Sequence, residues 1–196
     1  MVISVYSFLK TDAIAKNQET AIFLLQAVNR PGIESLIYSM LESDYFAAPA
    51  STRFHNSFPG GLCVHSLNLV HAFNAANKQL LNPFPLDSVV ICGLLHDLCK
   101  VNAYLKTDKG YKSIKGITGH ATLSLSRIGE HIQLTQQEDD VIRYHMGLFG
   151  IFTYREHDTL SMHRAIMRTP QVQIFAALDM ADSKRNTSFY ALARRS

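Results

Sequence analysis

The residues best placed to do chemistry lie in Ile91-Cys92-Gly93-Leu94-Leu95-His96-Asp97-Leu98-Cys99-Lys100, a core-like run that carries a histidine and an aspartate side by side. Burying both without partners costs several kcal/mol, on the order of a domain's whole stability. A metal ion is the simplest compensation, and further donors recur along the chain. His65, His120, His145 and Asp179 each fall on a helical segment beside apolar residues, among them Leu67, Leu123, Ile142 and Leu178. Donors projecting inward from several helices are how bundles build metal centres. A single helical histidine is ordinary structure, so the set carries the reading. Adjacent helical positions differ by about 100°, so His96 and Asp97 cannot point the same way. They can still serve two ions lying alongside the helix, with the Asp97 oxygens bridging them. Nitrogen and oxygen donors in this mixture suit Fe, Mn, Co, Ni or Zn better than Mg. The expectation is therefore two divalent transition metals.

Other residues of the same types read differently. His157-Asp158 repeats the dipeptide inside the polar stretch Tyr154-Arg155-Glu156-His157-Asp158-Thr159, with no apolar run behind it, and is expected to face solvent. His71, His131 and His163 read as ordinary helix residues. Leu178-Asp179-Met180-Ala181-Asp182 offers two aspartates, so the last donor has an alternative in Asp182. Cys63, Cys92 and Cys99 form no CxxC pair, and they read as buried structural thiols in a reducing, cytoplasmic setting. The chain has no GxxxxGK[ST] loop and no Ser-His-Asp arrangement.

These donors need helices to hold them, and the pattern supplies helices almost throughout. Periodicity predicts them over 13–28, 33–41, 62–81, 87–100, 120–131, 135–146, 159–168 and 170–193, with Asp87 as one N-cap. The 87–100 helix is apolar nearly all round, as a fully buried helix must be. Thr135-Gln136-Gln137-Glu138 is a capping box, and Thr169-Pro170 is an N-cap and N1 pair. Irregular stretches are expected at 44–58 and 149–158. The turn-like Thr107-Asp108-Lys109-Gly110 predicts a small β-hairpin over 104–114. We expect an all-α fold in one domain over 1–196. Hydrophobic residues make up 47% of the 196 and charged residues 18%, a globular balance without a bilayer-spanning run. A net charge of +3, with loose basic clusters at 106–115 and 184–195, reads as solvated surface rather than a nucleic-acid stripe.

The motifs around the donors resemble those of the HD-domain superfamily of metal-dependent phosphohydrolases, of the bacterial and phage type. Ser51-Thr52-Arg53-Phe54-His55 followed by Gly60-Gly61-Leu62-Cys63-Val64-His65-Ser66-Leu67 is similar to the entry of that family's first ligand helix. Leu94-Leu95-His96-Asp97-Leu98-Cys99-Lys100 is similar to its central motif. Gly119-His120 and Ile142-Arg143-Tyr144-His145-Met146-Gly147 are similar to its remaining histidine motifs. The matching stretches span about residues 50–182. The resemblance implies one ion held by His65, His96, Asp97 and Asp179, and a second held by Asp97, His120 and His145. Asp179 fits the phase of the final motif better than Asp182, which becomes a surface or supporting carboxylate. Asp97 and Lys100 are the implied catalytic residues. Lys100, Arg53 and His55 are candidate substrate contacts, with a snorkelling lysine and a supporting histidine as the alternatives for Lys100 and His55.

The implied function is hydrolysis of a phosphomonoester or phosphodiester bond by a dinuclear centre that supplies hydroxide at neutral pH. The expected substrate is a small phosphorylated molecule such as a nucleotide. No membrane partner is expected, and neither a stacking platform nor a basic stripe argues for polymeric nucleic acid. Two rival functions use the same ligands. One is a di-iron oxygenase resembling the inositol-oxygenase type; the other is a nucleotide-binding module that retains the site without turnover. The sequence leaves oligomeric state open.

Overall fold

A computed structural model describes residues 5–114, 119–151 and 158–193, with side chains described between 13 and 184. Helices α1 (Val5–Gln26) and α2 (Ile33–Leu41) lead into a long loop, followed by α3 (Gly61–Asn77) and α4 (Leu86–Leu95). A single 3₁₀ turn, Leu98–Lys100, connects to β1 (Tyr104–Thr107) and β2 (Gly110–Ser113). Then come α5 (His120–Gly129), α6 (Gln136–Arg143), the one-turn α7 (Gly147–Phe149), α8 (Thr159–Arg168) and α9 (Gln171–Ala193). The fold is all-α with a small β-hairpin, as expected. The strands are antiparallel, pairing Tyr104 with Ser113 and Thr107 with Gly110 around Asp108-Lys109. Among the described residues no helix is long and apolar enough to cross a membrane.

The core forms where α3 packs on α4 and α9, with α6 closing against α4 and α9. Leu62, Leu69, Phe73, Ile91, Leu94, Leu95 and Phe175 are fully buried there. The Phe73 ring meets Phe84 and Phe175 edge-on, with centroids 6.0 and 5.1 Å away. Two buried carboxylates tie the outer helices to this core. Glu138 accepts both arms of Arg30 at 2.9 and 3.0 Å, the Ser88 hydroxyl at 2.7 Å and the Thr135 N–H at 2.8 Å. Asp140 accepts Arg168 at 2.7 and 2.9 Å and the Thr169 hydroxyl at 2.9 Å.

Several local expectations change. The predicted 87–100 helix stops at Leu95, and His96 and Asp97 lie in a turn before the 3₁₀ segment. α4 starts one residue before Asp87, behind Pro85, and the Asp87 carboxylate instead accepts the Asn29 N–H at 3.0 Å. The Thr135 capping box has both of its bonds. Thr169 precedes α9 as expected, but its hydroxyl goes to Asp140. His157 lies outside the described residues, while its neighbour Asp158 is an exposed N-cap accepting the Ser161 N–H. His71 and His163 are exposed, and His131 bonds Ser35 at 2.8 Å.

Candidate metal centre

Two close helix contacts position the central residues. α3 and α4 cross at Gly93, where hydrogen in place of a side chain lets the backbone rest on Val70. That contact brings His65 of α3 to His96, just past the end of α4. The following turn is clamped from α5: Ser124 Oγ accepts the Cys99 N–H at 3.0 Å, and Arg127 donates to the carbonyls of Leu98 and Val101 at 2.7 and 3.0 Å. α9 supplies Asp179 and Asp182, and His145 follows the end of α6.

Each of three histidines has its Nδ1 tied to an acceptor. His96 Nδ1 donates to Gly93 O at 3.0 Å, and His145 Nδ1 donates to Ile142 O at 2.7 Å. His65 Nδ1 meets Asp182 Oδ2 at 2.7 Å. Carbonyls and ionised carboxylates only accept, so Nδ1 carries the proton and Nε2 is the atom presented to the centre. Metal-binding histidines are oriented in the same way.

The Nε2 atoms converge. His65 and His96 approach to 3.3 Å, and His65 Nε2 lies 3.1 Å from Asp179 Oδ1. Asp97 Oδ2 is 3.4 Å from His96 Nε2 and 3.7 Å from His65 Nε2, while Oδ1 faces His145 Nε2 at 3.7 Å. With both rings neutral, His65 and His96 set lone pair against lone pair, a repulsion that a cation relieves. Burial alone would lower the His65 pKa, but bonds to Asp179 and Asp182 outweigh it and hold the value at about 9. Burial works against ionisation of Asp179 as well, yet its bond to His65 keeps the value at about 2. For His145, burial and then the neighbouring His96 push the pKa down, keeping the ring neutral. The donors fit a divalent transition ion.

The chain is similar to the 3'-5' exoribonuclease YhaM of Bacillus subtilis (strain 168). The two are 24% identical over 208 residues, covering 98% of this chain and 62% of YhaM. The chain thus spans less than two thirds of that relative's length. No family model matches it, and no solved structure matches.

The remaining candidates divide. Lys100 does not extend past the cluster. Its ammonium pairs with Asp97 Oδ2 at 2.6 Å, buried beside it. Burial favours the neutral acid of Asp97, but Lys100 and His96 outweigh it and hold the carboxyl well below its ordinary range. His55 reaches the edge of the site, its ring centroid 5.2 Å from that of His65. Burial, then the charge of Lys100, lowers its pKa to about 4, so the ring is neutral. Arg53 is exposed, with its guanidinium over the Phe54 ring at 5.1 Å. His120, the first residue of α5, has Nδ1 3.6 Å from Cys99 Sγ, and the two group with Asp97.

Sequence reasoning missed three contributors: Gly93, the Arg127 clamp and the Cys99–His120 contact. Gly93 is required by its close approach to Val70, a contact between segments that no local spacing reveals. The other two depend on how α5 crosses the turn.

Proposed function

We propose that this chain is a metal-dependent phosphodiesterase of the HD-domain type, acting on a nucleotide phosphoester. The observation that carries the reading is the set of three histidines with Nδ1 tied back and Nε2 converging on Asp97 and Asp179. His65, His96, Asp97 and Asp179 would hold one ion; Asp97, His120 and His145 would hold the second. Two such ions supply Lewis acidity and a bound water with a pKa near about 7.

The chain's own residues do the rest. Asp97 directs its two oxygens to different sides, the disposition a shared ligand requires. Lys100 pairs with Asp97, and an ion held by Asp97 would free its ammonium for a substrate phosphate. That places positive charge where the equatorial oxygens gain negative charge. Neutral His55 offers a hydrogen bond at the rim without adding charge. The hydrolase reading is preferred over the oxygenase and the inert module because the characterised relative is an exoribonuclease.

The test is a panel of nucleotides, generic phosphodiesters and short RNAs, run anaerobically with Mn²⁺, Co²⁺, Ni²⁺ or Fe²⁺. Phosphoester cleavage without oxygen is expected, and Asp97→Ala should abolish both metal loading and turnover. Oxygen-dependent substrate loss, or full activity in that variant, would sink the proposal. Retained metal with no turnover across the panel would leave the binding module.

A strand end, rather than a free nucleotide, is favoured by one feature. The exposed lysines Lys106, Lys109 and Lys112 sit on the hairpin that follows Lys100 by a few residues. Phosphate contacts of this kind show steep salt dependence. Changing the three to Gln should slow RNA cleavage and leave a mononucleotide ester unaffected. Equal slowing of both substrates would remove the strand reading.

A further inference from the structure

The three cysteines have different surroundings. Cys63 and Cys92 pack into the hydrophobic core of α3 and α4. Cys99 is equally buried, but its sulfur faces polar donors: Sγ lies 3.6 Å from His120 Nδ1, and donor atoms of Asp97, Cys99 and His120 all fall within 4.8 Å of one another. A carboxylate, a thiol and an imidazole at that spacing form a ligand triangle. Zn–S and Zn–N bonds of about 2.3 and 2.0–2.1 Å, opened to a tetrahedral angle, set sulfur and nitrogen about 3.6 Å apart.

The two residues are also held by the same pair of elements. Cys99 lies in the 3₁₀ turn, its N–H bonded to Ser124 of α5. His120 opens that same helix. The separation of their donor atoms is therefore set by α5 against the turn, with Arg127 as a second clamp. Asp97, at the start of the turn, completes the triangle.

We propose that Cys99 is a thiolate ligand of the second ion, beside Asp97 and His120. This rests on the two-metal reading above and makes the two halves of the centre chemically unequal. His65, His96 and Asp179 give nitrogen and oxygen donors only. The half containing Cys99 has a soft donor, which selects Zn, Fe or Co over Mg or Mn. Binding there releases the thiol proton to solvent and forms a metal–sulfur bond.

X-ray absorption on the zinc-loaded full chain tests it. The expected spectrum contains a sulfur shell at about 2.3 Å besides nitrogen and oxygen at about 2.0–2.1 Å. The shell should persist in the Cys63→Ala/Cys92→Ala variant, where Cys99 is the remaining cysteine, and vanish in Cys99→Ser. Two zinc ions bound with nitrogen and oxygen alone would overturn the Cys99 assignment and leave the metal centre standing. Failure to retain any zinc would overturn both. Because the two variants leave different cysteines in place, misfolding of one leaves the other to decide.

Discussion

Gly93 rests directly against Val70: a Cβ built on it would meet Val70 Cγ2 at 2.5 Å and the Val70 backbone at 2.9 Å. The backbone cannot yield as a side-chain tip can. Gly93→Ala should therefore push α4 from α3, at about 1–3 kcal/mol, and move His96 away from His65. Denaturant melts should show the loss of stability, and metal titration should show weaker binding in the folded fraction. Unchanged metal affinity would separate the crossing from the site.

Asp182 is expected to act through His65 rather than as a ligand, since it accepts from His65 Nδ1 and from Asn68 Nδ2 at 3.0 Å. Asp182→Asn should weaken metal binding roughly 10–100-fold, the usual effect of losing an outer partner. Asp179→Asn should remove the first ion altogether. Competition against a chelating dye distinguishes the two. The reverse ranking would exchange their roles.

Lys100→Met leaves the Asp97 carboxylate buried without its ammonium. Loss of one partner of a buried pair costs about 3–5 kcal/mol, so the metal-free variant should melt early. An ion at Asp97 would replace the missing charge. The metal-induced rise in melting temperature should thus be larger in the variant than in the wild type, while turnover falls. An equal rise in both would show that Lys100 and the ion do not share Asp97.

The Arg30–Glu138 pair should govern acid stability. Burial raises the Glu138 pKa, but its bonds to Arg30, Thr135 and Ser88 outweigh that and hold it below the ordinary carboxylate value. The stabilisation is present above the unfolded glutamate pKa of about 4.3 and is lost as pH falls through the lower folded value. Glu138→Gln should cost, at neutral pH, the lower end of about 3–5 kcal/mol, because Arg30 keeps some solvent contact. The gap between variant and wild type should close in acid. Melts from neutral pH down to the carboxylate range measure it.

What was legible in the sequence was local. Helical periodicity, the Thr135 capping box and the hairpin turn are decided within a few residues, and the structure has all three. The donor set was readable because histidines and aspartates are out of place in apolar runs, and the structure brings His65, His96, Asp97, His145 and Asp179 together. The break after Leu95 was not readable, since apolar Leu98 and Cys99 continue the core-like run beyond it and the turn is held by Ser124 and Arg127 from a distant helix. The networks at Glu138 and Asp140 join segments roughly a hundred and about thirty residues apart, beyond any local pattern.

His96 and His145 share one construction: each lies just beyond a helix and donates Nδ1–H to a carbonyl three residues back, in that helix's last turn. Two helices, α4 and α6, therefore end at the centre. The carbonyl end of a helix carries the partial negative charge of its macrodipole, worth about 0.3–1 kcal/mol to a nearby cation. The backbone itself makes this position attractive to positive charge before any side chain is counted. That bias gives a reason for an ammonium to be drawn into a buried position beside Asp97.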